Sequence, residues 1–276
     1  MVISVSRRCD IPRFAFDWFL GSLDAGFVDV RNPFNPHQIR RVSLLPSDVE
    51  VFAFWTRDPA SILEYAEELE RRAYRFYVMT TLTAYPCVLE PNAAAAEAVI
   101  KTMGELAQRI GIERVIWRYD PIFLSNLTDF EFHCRNFAHL AARLNGAVRR
   151  VIVSLYDEYP AAERRLTALE QSGVLKRLPH KELILDPAVR QLLAELARIA
   201  KAEGMEIQSC AEEDFSDIGI PGGACIDGEY LTRLFGIKAP GRDRGQRRPL
   251  CRCVQSVDIG SYGHCPAGCV YCYGLR

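Results

Sequence analysis

The feature that most constrains this chain is a repeated alternation of short apolar runs with longer punctuated segments. Val2–Ser6, Val49–Trp55, Arg75–Leu82, Arg114–Tyr119, Val151–Tyr156 and Glu206–Cys210 are rich in β-branched and aromatic residues and read as strands. The segments between them open on proline or aspartate and close on glycine, the expected asymmetry of helix ends. Asp10 and Pro12 lead to Gly26, Asp58-Pro59 opens the next helix, and Pro91 leads to Gly111. Thr128 with Glu131 forms a capping box for a helix stopping at Gly146; Pro160 leads to Gly173, and Asp186-Pro187 to Gly204. A weaker strand at Phe27–Arg31 and a last one at Val257–Tyr262 bring the count to about eight. Such alternation implies a parallel sheet. At 276 residues the expected fold is α/β, a (β/α) TIM-like barrel. An open doubly wound sheet is the alternative, but no G-x-G-x-x-G follows the first strand. Residues 1–212 are expected to form the barrel body and 213–276 a cysteine-rich segment that completes it.

Charge narrows the classes of partner. The formal net charge is −1, so there is no global basic field for nucleic acid, and a small-molecule substrate is favoured. The run Gly241–Arg248 (GRDRGQRR) is expected to be a solvated, mobile loop. No apolar run reaches the length of a membrane span. The N-terminus lacks the order of a signal peptide, so a cytoplasmic location is expected.

Ten cysteines are unusual for such a chain, and seven of them (Cys210, Cys225, Cys251, Cys253, Cys265, Cys269 and Cys272) fall in the last quarter. In a cytosolic chain of this size that points to metal or catalysis rather than disulfides. Cys265-Pro-Ala-Gly-Cys269-Val-Tyr271-Cys272 reads C-x3-C-x2-C. Three thiolates on one short loop can reach three irons of a [4Fe–4S] cubane and leave a fourth without a protein ligand. A structural zinc using these cysteines with His264 or an upstream cysteine is the competing reading.

This octapeptide resembles the C-x3-C-x-aromatic-C signature of radical S-adenosylmethionine (SAM) enzymes, with Tyr271 in the aromatic place. The resemblance implies SAM bound to the open iron, reductive cleavage to a 5′-deoxyadenosyl radical, hydrogen abstraction from a substrate, and an electron donor such as flavodoxin or ferredoxin. It also implies that Tyr271 lies near the adenine. Radical SAM enzymes usually carry this loop after the first strand. Here only Tyr273–Arg276 follow it, so the expectation is a circularly permuted barrel, with the last strand beside the first. More widely, Ser6–Pro12, Arg31–Pro36, Phe54–Thr56, Trp117–Pro121 and Ser209–Glu213 are similar to the domain of unknown function 1848. That family is noted for a C-terminal cysteine cluster of the radical SAM kind, and Thr is usual there where this chain has Cys9. It brings no assigned substrate.

Cys210, Cys225, Cys251 and Cys253 form a second set, the number needed for another [4Fe–4S] cluster or a structural zinc. If the barrel forms, strand-end residues face its site. These are Arg7, Arg8 and Asp10; Arg31 and Asn32; Trp55, Thr56 and Arg57; Thr81 and Thr83; Arg118 and Asp120; Ser154 and Asp157; and Glu212. Arg8 and Arg118 are the candidates to grip the carboxylate of SAM or of an acidic substrate. Helix capping is the competing role for Asp10, Asp58 and Asp120. His133, Cys134 and His139 read as ordinary helix residues, because i and i+6 do not share a face. The leading reading is a radical SAM-like enzyme. Its competitors are an iron–sulfur electron-transfer or sensor protein that does not cleave SAM, and a zinc-stapled binding or hydrolytic barrel.

Overall fold

The computed structural model describes residues 1–178, 186–244, 248–263 and 265–275. His264 and residues 245–247 of the arginine-rich run therefore lie outside the described residues. The chain is mixed α/β, built on one curled, wholly parallel sheet of eight strands. Its strands are β1 (Val2–Val5), β4 (Val51–Thr56), β5 (Phe76–Thr81), β6 (Val115–Ile122), β7 (Arg150–Leu155), β8 (Glu206–Cys210), β9 (Gly222–Gly223) and β10 (Val257–Asp258). Their spatial order is β10-β1-β4-β5-β6-β7-β8-β9. The edge strands β10 and β9 are not paired with each other, so the sheet is a half-barrel rather than the closed barrel expected.

Side chains alternate between the two faces of this sheet. Ile3, Phe52, Phe54, Phe76, Val78, Trp117 and Val153 point outward, onto helices. These are α2 (Phe16–Ala25), α3 (Ala60–Arg71), α4 (Ala96–Ile110), α5 (Phe130–Leu144) and α7 (Pro187–Ala202), which follow the short α1 (Ile11–Phe14). Val2, Val51, Ala53, Trp55, Tyr77, Met79, Ile116 and Ile152 point inward. Against them pack Ile226, Tyr230, Leu231, Ile237 and Val254 of the C-terminal segment, which includes α8 (Gly228–Phe235). The inner face is thus covered by the chain's own C-terminal segment. The remaining helix, α6 (Pro160–Gln171), packs through Ala162 and Leu166 on the loop that carries Cys269 and Tyr271.

Several local expectations change. Phe27–Asn32 is a strand, β2, but it pairs antiparallel with β3 (Asn35–Ser43) in a separate hairpin. Arg31 and Asn32 therefore sit on that hairpin and not at an end of a sheet strand. Helix α5 is capped by Asp129, whose carboxylate accepts from the Phe132 N–H. Thr128 instead donates its hydroxyl to the Phe123 carbonyl at 2.5 Å. Helix α4 begins at Ala96, five residues after Pro91. The last strand is only Val257–Asp258, and it runs parallel to β1 through Ile3 and Ser4. Among the described residues no helix is long and apolar enough to cross a membrane.

Candidate metal centre at the sheet's C-terminal edge

The motif loop lies over the C-terminal ends of β5, β6 and β7. Ala267, Cys269 and Tyr271 are buried there with Tyr85, Leu89, Phe123 and Tyr156, each from a segment just past one of those strands. Cys265 and Cys272 are partly buried against the same cluster. Gly268 takes a φ of +69°, a left-handed turn that an L side chain resists, and it lets the loop curl between its cysteines. Arg165 of α6 clamps the loop from outside. It donates to the carbonyls of Val270 at 3.1 Å, Cys272 at 2.5 Å and Leu275 at 3.2 Å. The Gly274 N–H donates to Cys272 Sγ at 3.2 Å. Burial pushes the Cys269 thiol up to about 12 with no metal, and Arg57 only partly opposes it. A bound cation reverses that penalty, because it stabilises the thiolate directly.

Tyr271 faces inward. Its ring stacks on Phe123 at 5.8 Å between centroids, and its hydroxyl donates to Glu90. Glu90 is 2% exposed. Its Oε1 also accepts from Arg57 Nη2 at 2.6 Å and from the Thr83 hydroxyl at 2.5 Å. Its Oε2 is buried and makes no hydrogen bond. Burial works against the Arg57 charge, but Tyr271 and Glu90 hold its pKa well above normal. Glu90 and Arg165 are the residues that sequence reasoning missed. A lone glutamate in a proline-flanked loop and an arginine on a helix carry no local signal.

The tail is tied back to the end of β1. The Tyr273 hydroxyl donates to the Arg7 carbonyl at 2.8 Å, and a Cβ on Gly274 would come within 2.7 Å of the Arg8 carbonyl. Asp258 of β10 sits at this junction, 7% exposed. It accepts from Ser4, Ser6, and the N–H groups of Arg7 and Gly260. Arg8 donates to the Gly260 carbonyl at 3.1 Å and lies 3.7 Å from Asp258. It also lines a cavity of about 350 Å³ between the β2–β3 hairpin and β10, shared with Arg31, Arg40 and Asp258. Cys9 faces Gly260 in the same neighbourhood, where a Cβ on that glycine would meet its sulfur at 2.9 Å.

Arg118 projects from β6. It pairs with Asp120, donates to Thr81 at 3.3 Å and lies over the Trp55 ring at 4.6 Å. Its Nε and the Trp55 Nε1 are buried without a hydrogen bond. Asp120 is no helix cap; its other oxygen accepts from Ser154 at 2.6 Å. Asp10 does cap, accepting from the Arg13 N–H at 3.1 Å, and it also accepts from the Arg57 N–H at 2.8 Å. Asp58 accepts from the Ala60 N–H at 3.1 Å. Glu212 accepts from Arg248 at 2.9 Å, and Arg248 also reaches Asp157 at 2.7 Å. That arginine is held in the fold, contrary to a solvated loop. His133 is buried, with Nδ1 at 2.9 Å from the Tyr119 hydroxyl, a core role.

The second cysteine set lies on the inner face, where Cys210, Cys225, Cys251 and Cys253 share one apolar cluster. Cys225 Sγ is 3.0 Å from Cys210 Sγ. Cys253 is in hydrogen-bond contact with both Cys210 and Cys251 and accepts from the Ile226 N–H at 3.4 Å. Hydrogen bonds from Cys210 and Cys251 hold the Cys253 thiol below its ordinary value, while Cys210 and Cys251 are raised. Among the described residues no three His, Cys, Asp or Glu side chains stand as a ready-made metal site. The four thiols touch one another instead.

No curated protein matches this chain. Among solved structures, D-hydantoinase from a Bacillus sp. AR9 is similar at 8% identity over 67% of this chain, with a TM-score of 0.32. This chain spans 42% of that structure's length, and so loose a likeness carries no argument. The family model described as Domain of unknown function (DUF1848) matches residues 2–274, essentially the whole chain, and the protein belongs to that family.

Proposed function

We propose that this protein is a radical SAM-like enzyme in which Cys265, Cys269 and Cys272 hold a [4Fe–4S] cluster and leave one iron open to SAM. The observation that carries this reading is the setting of the motif. Its three thiols share one tight loop on the C-terminal edge of a parallel half-barrel, the edge where barrel enzymes keep their active sites. The residues present suit the group. Three soft donors lie on one loop, a glycine turn separates them, and a backbone N–H already points at one sulfur. When bound, cluster and SAM would supply a one-electron cleavage to methionine and a 5′-deoxyadenosyl radical that takes hydrogen from a substrate.

The chain's own residues would position and shield that chemistry. Arg165 fixes the loop backbone through three carbonyls. Tyr85, Phe123, Tyr156 and Tyr271 form an aromatic wall that keeps water from the loop's inner side. Arg118, with a buried Nε to spare, and Arg8 are the groups suited to a carboxylate of SAM or substrate. The position of the motif at the end of the chain is explained by circular permutation of a radical SAM barrel. In support, β10 runs beside β1, so the loop departs next to the first strand although it comes last in sequence. The substrate would be a small molecule and the electron donor a flavodoxin or ferredoxin, in the cytoplasm.

The test is anaerobic reconstitution with iron and sulfide, followed by SAM and dithionite. The expected products are 5′-deoxyadenosine and methionine in equal amounts, both lost in Cys269→Ala. Cluster-loaded protein that forms no 5′-deoxyadenosine would rule the proposal out.

A further inference from the structure

The thiols of Cys210, Cys225, Cys251 and Cys253 lie apart from the motif loop, and nothing in the radical SAM reading uses them. They come from three stretches of chain. Cys210 ends β8, Cys225 stands two residues past β9, and Cys251 and Cys253 lie between α8 and β10. All four are between 2% and 8% exposed. We propose that these four cysteines bind a single zinc ion as thiolates, in a closed tetrahedral site that fastens the C-terminal segment to the inner face of the half-barrel.

Size decides between one ion and a cluster. Zinc holds thiolates at about 2.3 Å, which places neighbouring sulfurs roughly 3.8 Å apart around a tetrahedron. Cys225 and Cys210 are at 3.0 Å, and Cys251 and Cys253 are buried in the same cluster, with the Ile226 N–H donating to Cys253 Sγ at 3.4 Å. Parting the Cys225–Cys210 pair by less than an ångström brings it to the spacing of two zinc ligands. A cubane would put each thiolate on a different iron, with sulfides between, and would force the four well apart. The walls resist that: Tyr77, Ile226, Tyr230 and Val254 pack around them in the same buried cluster. The Tyr77 hydroxyl and Gln208 amide hold the Cys225 and Ala224 carbonyls at 3.1 and 2.9 Å, and the Cys253 carbonyl accepts from the Asp243 N–H.

Charge and closure agree with this assignment. Four thiolates around zinc carry net negative charge. Arg7 and Arg118 act on Cys225, and Arg248 on Cys210, as nearby positive charges. With every ligand buried and no position left open, the ion would be structural. Binding would release the remaining thiol protons, so uptake would weaken as pH falls.

The experiment uses the full-length protein with Cys265→Ala, Cys269→Ala and Cys272→Ala combined, beside wild type. The triple variant removes the proposed cluster site, so the failure of either proposal can be told from the failure of the other. Elemental analysis after anaerobic purification is expected to give about one zinc per chain in both proteins. Substituting cobalt for zinc in the triple variant is expected to produce the intense visible bands of tetrahedral tetrathiolate cobalt. About four irons with labile sulfide retained in the triple variant would overturn the proposal in favour of a cubane. One iron in place of zinc would overturn it, as would a folded variant free of metal that gives no cobalt bands.

Discussion

Replacing Glu90 by alanine is the sharpest test of how the motif loop is held. Glu90 Oε1 receives the Arg57 guanidinium at 2.6 Å, the Thr83 hydroxyl at 2.5 Å and the Tyr271 hydroxyl. The Glu90 side chain is 1% exposed and that of Arg57 13%. Removing the carboxylate leaves a buried cation that, among the described residues, keeps guanidinium hydrogen bonds to Thr83 and Tyr271. Breaking one side of a buried ion pair costs about 3–5 kcal/mol. For a chain of this length that corresponds to a fall of roughly 10 °C in Tm. The expected result in chemical denaturation is a lower midpoint with an unchanged m-value, because the loss is in the native state. The double variant Arg57→Met/Glu90→Leu removes both charges and is expected to recover much of that loss, as apolar replacement of buried pairs does elsewhere. A Glu90→Ala protein within about 1 kcal/mol of wild type would refute the reasoning. So would a double variant as unstable as the sum of its singles, since the pair would then carry no coupling.

Three further outcomes follow from named contacts. Arg165→Met leaves three loop carbonyls without their charged donor, and hydrogen bonds to charged groups contribute about 1.5–3 kcal/mol each at most; reconstituted protein is expected to retain less than half the iron of wild type, while its far-ultraviolet circular dichroism is unchanged. Gly260→Ala places a methyl 2.0 Å from Ser6 Oγ and 2.5 Å from Ser6 Cβ, so an overpacking loss of about 1–3 kcal/mol is expected in thermal unfolding. Burial pushes the Glu212 carboxyl up to about 7, with Arg248 only partly opposing it. The native state then keeps this proton while the unfolded chain releases it near the ordinary value, so stability falls as pH rises from about 4.5 to about 7. Glu212→Gln is expected to gain on wild type by about 2 kcal/mol between pH 5 and pH 7.5 in urea unfolding, and a difference independent of pH would count against the assignment.

The strands that could be read from the sequence are those buried on both faces. Val51–Thr56 and Arg150–Leu155 have no exposed residue, and each carries a continuous apolar stretch, Val51–Trp55 and Val151–Val153. What escaped was decided by contacts distant in sequence. Gly222–Gly223 has no side chain to announce a strand, and it pairs because Ser209 and Cys210 lie beside it. A Cβ on Gly223 would meet the Gln208 side chain at 2.3 Å, so close packing requires the residue that hides the signal. The start of α4 was misplaced for a related reason. Glu90 and Asn92 are occupied in holding the motif loop, through the Tyr271 hydroxyl and the Pro266 carbonyl, and Arg13 donates to the Asn92 carbonyl at 2.6 Å. The packing of Tyr230, Leu231 and Ile237 on the inner face, like the lack of pairing between β9 and β10, is set by contacts distant in sequence that no local period reveals.

The candidate site divides along the same line. The cysteine motif was legible because its chemistry is local, three thiols within eight residues. Its supports are not local: Tyr271 meets Glu90 across 181 positions, and Arg165 meets Cys272 across 107. The tail is also bound to the beginning of the chain. Tyr273 reaches the Arg7 carbonyl, Gly274 packs under the Arg8 carbonyl, and Asp258 gathers Ser4, Ser6 and Arg7 around one carboxylate. The first and last strands are therefore paired side by side, and the motif loop follows from β10. The geometry of the loop therefore depends on residues 4–8 as well as on its own sequence, through the Tyr273 and Gly274 contacts with the Arg7 and Arg8 carbonyls.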